Sequence, residues 1–293
     1  MKSAIQSNRH LYSPLRYPGG KAGIFPFVSK LFYENDLIGL NYAEPYAGGS
    51  GLALRLLAEG YVEKIFLNDI DISVYSFWKT VTSEPDRFCR WVRRVSVDVK
   101  RWKHYHKVIF DQNASEFELA QAFFFLNRTN VSGIIKGGGI IGGFDQRGSY
   151  KIDARFNKPD LIHRIEVIAD LAPRIVLSKD DGITFLDQLD RKHEEVLIFL
   201  DPPYFCKGSN LYMNFYTDKD HRLLSKHVSK LKKRWIVSYD NQPFIMNLFS
   251  GQRKIMHSLS QSTSNRVGKE LLIFSDKLQY SDSLQYLNNP VSV

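Results

Sequence analysis

The run Asp201-Pro202-Pro203-Tyr204 closes an apolar stretch, residues 196–200, and combines groups suited to one kind of chemistry. An ionised aspartate only accepts hydrogen bonds, and a proline supplies a carbonyl but no N–H. Two prolines after Asp201 therefore make a stiff edge of acceptors at the end of a buried segment. Such an edge fits a group that brings only donors, and the exocyclic amine of a nucleobase brings two. Accepting both hydrogens, through the Asp201 carboxylate and the Pro202 carbonyl, draws the nitrogen toward sp³ and frees a lone pair otherwise delocalised into the ring. Tyr204 adds a flat face on which that base can stack. An ordinary capped turn would account for Asp201 alone and leaves the grouping of Asp, Pro, Pro and Tyr unexplained.

Two further runs pair small residues with charge. "EPYAGGSG", residues 44–51, leads from a short apolar run into a helical pattern, and Asp69 ends the next apolar run. An acid at that position is placed to accept from ribose hydroxyls. Ligands of a parallel sheet gather at the carboxyl ends of its strands, so Glu44, the glycine loop, Asp69 and Asp201 would share one rim. The loop lacks the G-x-G-x-x-G spacing of a pyrophosphate seat, which disfavours a nicotinamide oxidoreductase. A nucleoside cofactor without phosphates needs only close backbone approach, and S-adenosylmethionine is such a cofactor. A tight turn that binds nothing explains the glycines, taken alone, equally well. "RYPGGK", residues 16–21, adds two glycines that permit close approach and Lys21, a cation for a carboxylate.

These residues need elements to hold them. Residues 41–45 and 62–69 read as strands around a helix over 52–60, with Ser50 at its N-cap position and Gly60 at its stop. That βαβ order implies an α/β fold with a parallel sheet. Apolar runs at 173–177, 196–200, 235–239 and 271–275 predict further strands, and 218–233 predicts a helix opened by a Thr217/Asp220 capping box. Residues 84–158 differ in character. The stretch 87–107 holds eight Lys/Arg against one acid, Asp98, with Phe88, Trp91, Trp102 and Tyr105 interleaved. A helical pattern over 118–130 leads into a glycine-rich basic stretch, 131–157, where "FDQRGSYKI" predicts a β-hairpin turning at Gln146, Arg147 and Gly148. The expected organisation is a catalytic domain over 1–83 and 159–293, interrupted by a basic domain over 84–158.

The 293-residue chain carries a formal net charge of +9, which favours a polyanionic partner, nucleic acid ahead of membrane. Its two cysteines, Cys89 and Cys206, make neither a structural zinc site nor a secreted disulfide scaffold, and no metal is expected. The N-terminus has no signal-peptide h-region and no stretch approaches a membrane span, so a cytoplasmic protein is expected.

In their order along the chain, "RYPGGK", "EPYAGGSG" and "DPPY" resemble the motifs of the Dam-like, D12 class DNA adenine-N6 methyltransferases. "WIVSYDN" (235–241) and "GKELLIFS" (268–275) resemble that family's later strands, so the resemblance spans most of the chain. It implies a Rossmann-like S-adenosylmethionine-dependent methyltransferase sheet with an inserted, smaller, mainly helical target-recognition domain carrying the hairpin. It also implies methyl transfer to N6 of an adenine flipped out of double-stranded DNA. Tyr17 and Lys21 would then contact the cofactor, together with Glu44, Pro45, Ala47, Gly48, Gly49 and Ser50. Asp69, with Ile70 beside it, would take the ribose, and Asp181, or its neighbour Asp180, the adenine ring of the cofactor. Asp201, with Pro202, Pro203 and Tyr204, would form the methyl-transfer site. Arg93, Arg94, Arg128, Asn130, Lys136, Arg147 and Lys151 are the expected DNA contacts, with Arg147 reading a base edge. The insert differs from the asparagine-glycine-rich run and "FNVPFG"-like hairpin of GATC methylases, so GATC specificity does not carry over. A cytosine-N4 methyltransferase, which more often has Ser in place of Asp201, is the alternative enzyme. A catalytically inactive DNA-binding protein of the same fold is argued against by the intact DPPY and Lys21. The expected setting is the nucleoid of a bacterial or phage-infected cell; a cognate restriction endonuclease and the oligomeric state are left open.

Overall fold

The computed structural model describes residues 12–16, 21–192, 194–206, 216–260 and 267–293. Its strands are β1 (Asn41–Glu44), β2 (Ile65–Asn68), β3 (Ile175–Ser178), β4 (Val196–Leu200), β5 (Arg234–Asp240), β6 (Arg253–Ser260), β7 (Val267–Phe274) and β8 (Val291–Ser292). Its helices are α1 (Phe25–Glu34), α2 (Gly51–Ala58), α3 (Ile72–Ser83), α4 (Pro85–Arg94), α5 (Val99–Val108), α6 (Glu116–Thr129), α7 (Lys158–Leu171), α8 (Gly182–Arg191), α9 (Asp218–Val228) and α10 (Pro243–Leu248). All the strands expected from apolar runs are present. β6 and β8 were not expected, because "RKIMHSLS" mixes polar and apolar residues and Val291–Ser292 is too short to leave a pattern.

The eight strands form one sheet in the order β3-β2-β1-β4-β5-β7-β6-β8. The first five are mutually parallel, and β7 is antiparallel to both β5 and β6. From β1 the chain builds outward through β2 and β3; from β4 it builds the other way. The reversal between β1 and β4 opens a crevice at their carboxyl ends, where Glu44 and Asp201 lie. β4 is buried along its whole length because helices cover both faces of the sheet. Its alternate residues feed two cores: Leu197 and Phe199 join one side with Phe27, Leu52 and Trp78, while Ile198 and Leu200 join the other with Leu186, Leu224 and Phe249.

Residues 84–158 do not carry a core of their own. Phe77 of α3 stacks on Phe124 of α6 with ring centroids 5.6 Å apart, and Phe88 packs on both. Phe123, Phe125, Trp102, Ile152 and Phe156 belong to the same apolar cluster as the sheet residues Tyr42 and Leu67. The aromatics interleaved in 87–107 thus face inward: Phe88, Trp102 and Tyr105 are buried, while Arg90, Arg93, Arg94, Arg101 and Lys103 stay exposed.

The expected β-hairpin is not formed. Among the described residues, strand-like pairing in this region is limited to a single bridge, Asn130 with Ile140. Beyond it the chain folds into a cluster of turns. Gly142 (φ 82°), Gly143 (φ 73°) and Gln146 (φ 51°) sit in the left-handed region, which no extended strand tolerates. Gln146 pins the cluster, donating from Nε2 to the carbonyls of Ile141 (2.9 Å) and Gly143 (2.6 Å) and accepting from the Ile152 N–H at 2.8 Å.

The end of α6 grips the segment that precedes "RYPGGK". Asn127 accepts the Arg16 N–H at Oδ1 (2.7 Å) and donates from Nδ2 to the Arg16 carbonyl (2.6 Å). Gly133 lies against the same carbonyl at φ 74°, where a Cβ would fall 2.3 Å from it. Gly133→Ala is therefore expected to destabilise the fold by on the order of 2 kcal/mol. Thermal unfolding checks this: a wild-type Tm in the variant would show that residues 12–16 are not seated there.

Candidate active site

The glycine loop after β1 is held from three directions. The Gly48 N–H donates to Asp69 Oδ2 at 2.9 Å, the Gly48 carbonyl accepts from Trp78 Nε1 at 2.9 Å, and the Ala47 N–H donates to the Asn68 carbonyl at 2.8 Å. Ser50 occupies the N-cap position of α2 in the left-handed region (φ 43°). Its hydroxyl donates back to the Ala47 carbonyl at 3.0 Å rather than capping the helix. Asn68, buried, ties three strand ends together: Nδ2 donates to the carbonyls of Pro45 (3.0 Å) and Asp180 (2.9 Å), and Oδ1 accepts the Asp180 N–H (2.8 Å).

Asp69 accepts one backbone N–H at each oxygen, from Gly48 and, at 3.0 Å, from Asp71. A carboxylate has about four acceptor sites, so acceptor capacity for a diol remains. Burial, and then the neighbouring Asp71, push its pKa up to about 7. Ile70 beside it is exposed, an apolar surface at the rim. Asp181 caps α8, its Oδ1 accepting the Ile183 N–H at 3.0 Å. Gly182 lets Tyr46 in, since a Cβ there would fall 2.7 Å from the Tyr46 hydroxyl. Asp180 instead accepts from Gln188 at 3.2 Å. Tyr17 lies outside the described residues.

Lys21, Asp201, Tyr204 and a residue the sequence reading passed over, Glu270 on β7, meet at the end of β4. Lys21 Nζ donates to Asp201 Oδ2 (2.9 Å) and to the Tyr204 hydroxyl (2.9 Å), and it lies 3.1 Å from Glu270 Oε1. Tyr204 donates in turn to Glu270 Oε1. His257 Nε2, on the other side of β7, stands 3.6 Å from Glu270 Oε2. Burial works against the charge on Lys21, but Asp201 and Glu270 outweigh it and raise its pKa. Burial raises Asp201 to about 6, with Lys21 opposing and Glu270 adding to the rise. Burial also opposes the charge on Glu270, yet Lys21 holds its pKa well below the ordinary carboxylate value. Asp201 Oδ1 is buried without a hydrogen-bond partner among the described residues.

The proline pair is braced as well. Asp240, ending β5, accepts the N–H groups of Phe205 and Cys206, each at 3.0 Å, and so fixes the turn that follows Tyr204. Glu44 sits behind, accepting from the Tyr42 hydroxyl at 3.1 Å.

The expected DNA contacts divide. Arg93, Arg94, Lys136, Arg147 and Lys151 are exposed. Asn130 is buried, its Oδ1 accepting from Trp102 Nε1 (2.7 Å) and its Nδ2 donating to the Ile134 carbonyl (2.7 Å), so its amide is turned into the fold. Arg128 donates to the carbonyls of Arg155 (2.6 Å) and Pro14 (3.3 Å), and burial lowers its pKa; it braces the N-terminal segment. Both side chains serve the fold because α6 ends against residues 12–16 rather than on an open surface.

Comparison with protein families places this arrangement. The profile described as D12 class N6 adenine-specific DNA methyltransferase matches residues 17–263. The chain belongs to this family. It is an enzyme, an adenine-specific DNA methyltransferase, as the order of its three motifs implied. The match runs through the glycine loop, the basic stretch and the DPPY turn of this methyltransferase without a break in its limits. A search of curated proteins finds no match. Among the described residues, no helix is long and apolar enough to cross a membrane, and no group of three or more His, Cys, Asp or Glu residues stands ready for a metal ion.

The buried acids predict a pH dependence of stability. Burial raises Glu44 from 4.5 to about 8, so the folded state binds a proton that the unfolded state gives up. The stability linked to that proton is fully present below pH 4.5 and is lost as pH rises through about 8; Asp69 acts in the same sense up to about 7. Glu44→Gln, which cannot ionise, is expected to lose less Tm than the wild type between pH 5 and 8.5. Parallel Tm curves for the two proteins would show that Glu44 is not held protonated.

Proposed function

We propose that the protein transfers a methyl group from S-adenosylmethionine to the N6 amine of an adenine flipped out of duplex DNA. The observation that carries this reading is the orphaned, buried Oδ1 of Asp201, set beside the donor-free Pro202 and Pro203 at the end of β4. A buried acceptor without a partner is costly unless a ligand satisfies it. An exocyclic amine does so, and a base must leave its stack to reach a strand end.

The residues fit the cofactor. Asp69 keeps acceptor capacity for a ribose diol, Ile70 offers an apolar rim to a purine ring, and Asp181 Oδ2 takes no part in its helix cap. Tyr17, Pro45, Ala47, Gly48, Gly49 and Ser50 complete the proposed pocket. When bound, the cofactor supplies a methyl group on an electrophilic sulfonium. Asp201 Oδ1 and the Pro202 carbonyl take the two hydrogens of N6, while Lys21 holds the other Asp201 oxygen and prevents the carboxylate from rotating. Tyr204 stacks on the base. Positioning and the exclusion of water account for most of the acceleration, with Asp201 an orienting acceptor rather than a strong base.

Residues 84–158 are the proposed target-recognition region. The exposed outer faces of α4 and α5 meet phosphates, and Arg147, exposed in the turn cluster, reads a base edge in the major groove. The enzyme then works in the cytoplasm, on the nucleoid.

Two measurements test this. Incubation of duplex DNA with labelled cofactor, followed by nucleoside analysis, should yield N6-methyladenine from the wild type and none from Asp201→Ala, with DNA affinity changed by no more than a few-fold. Methylation by the variant at the wild-type rate would remove Asp201 from the chemistry. Arg93→Glu combined with Arg94→Glu should weaken binding to all duplexes alike and flatten the dependence of affinity on salt, since two phosphate contacts are lost. An unaltered slope would make these arginines a solvated helix face.

A further inference from the structure

Glu270 lies outside all three motifs, yet its carboxylate is almost wholly buried, with a relative exposure of 2%. The sheet puts it there. In the antiparallel pairings of β7, Glu270 stands opposite Asp240 of β5 on one side and His257 of β6 on the other. Its Oε1 receives both Lys21 and the Tyr204 hydroxyl. The two groups that could otherwise crowd Asp201 are thus each drawn partly away from it. Lys21 is shared between two carboxylates, and the Tyr204 proton points to Glu270.

We infer that Glu270 is a positioning residue for methyl transfer: by holding Lys21 and the Tyr204 hydroxyl, it keeps Asp201 Oδ1 open and fixed for the amine of the target base. The inference rests on the proposed function, in which Asp201 receives that amine. Without the Glu270 charge, the Tyr204 hydroxyl is left to turn onto Asp201, within whose hydrogen-bond reach it already lies, and Lys21 loses one of the two carboxylates that share it here. Both changes fill the acceptor that the base requires. The groups that set the ionisation of Asp201 are Lys21 from the turn before α1, Tyr42 and Glu44 from β1, Tyr239 from β5, Glu270 from β7, and Tyr204 beside it. Of these, Glu270 is the acid whose charge pushes Asp201 toward protonation most directly. Its removal lets Asp201 ionise at lower pH, so the pH profile reports the Glu270 charge, while its hold on the Tyr204 hydroxyl is read by comparing backgrounds with and without that hydroxyl.

The test compares Glu270→Gln, of the same shape without the charge, in two backgrounds: the wild type and Tyr204→Phe, which retains the ring but not the hydroxyl. Single-turnover methylation of duplex DNA is followed from pH 5 to 8.5, with thermal melts and cofactor affinity measured alongside. In the wild-type background Glu270→Gln should slow the chemical step by on the order of ten- to a hundredfold and move the acid limb of the profile to lower pH. In the Tyr204→Phe background the same substitution should cost on the order of tenfold less, because no hydroxyl is left to turn onto Asp201. Equal cost in both backgrounds would overturn the inference, whether or not the acid limb moves. If Glu270→Gln does not fold, Glu270→Asp, which retains the charge one methylene short of Lys21 and Tyr204, replaces it in the same cycle with the same criterion of unequal cost. A wild-type enzyme that makes no N6-methyladenine would overturn the proposed function instead.

Discussion

One buried ammonium serves two buried carboxylates, and the geometry of the catalytic end depends on it. Lys21 comes from the turn before α1, Asp201 from the end of β4 and Glu270 from the middle of the antiparallel flank, so three distant pieces of chain converge on one charge. Taking such ions out of water costs several kcal/mol each, and only close pairing offsets it. The sheet register is constrained accordingly. Glu270 shares a face with Leu272 and Phe274, which lie in the core that also holds Phe27 of α1. A slip of β7 by one residue would turn Glu270 to the opposite face and take it from Lys21. The antiparallel β5–β7 pairing therefore holds this buried ion cluster together as well as closing the sheet.

The same economy links the basic region to the catalytic end. Asn127 ends α6, whose aromatic face packs on α3, and its amide clamps the backbone of Arg16, five residues before Lys21. Arg128 adds a bond to the Pro14 carbonyl, and Arg16 returns one to the Asn130 carbonyl at 3.1 Å. The "LNRTN" run thus acts as a joint between the helices that carry the exposed cations and the strand of chain that delivers Lys21. A region that shares its core with the sheet and grips this segment cannot move as a free module without disturbing the site.

What the sequence disclosed follows from how each feature is encoded. The DPPY turn, the glycine loop and Asp69 were legible because each sits at a strand end within a local motif, and the parallel βαβ order places strand ends together. Glu270, Asp240 and Asn68 were not, because their roles arise from partners brought in by strand pairing: Glu270 is 66 residues from Tyr204, and Asp240 is 35 from Phe205. Nothing in "GKELLIFS" separates a catalytic-end glutamate from an exposed one. The hairpin was misread for a local reason. A turn at Gln146, Arg147 and Gly148 suggested strands on either side, but the glycines at 142 and 143 and Gln146 take positive φ, and their turns win over extension. The bonds of Asn130 and Arg128 within the fold were not legible either, because polarity in sequence does not distinguish a side chain that reads a ligand from one that satisfies backbone.

The acids at the end of β4 are not equivalent. Burial raises Glu44 to about 8, and the hydrogen bond from Tyr42 does not offset that rise. Lys21, 2.9 Å from Asp201 and 3.1 Å from Glu270, holds Glu270 well below the ordinary carboxylate value and opposes the rise that burial imposes on Asp201. A buried charge is far costlier than one in water unless it is paired. Proton uptake by Glu44 therefore spares Lys21 a third buried carboxylate, and a glutamate behind the site helps decide how that one ammonium is divided.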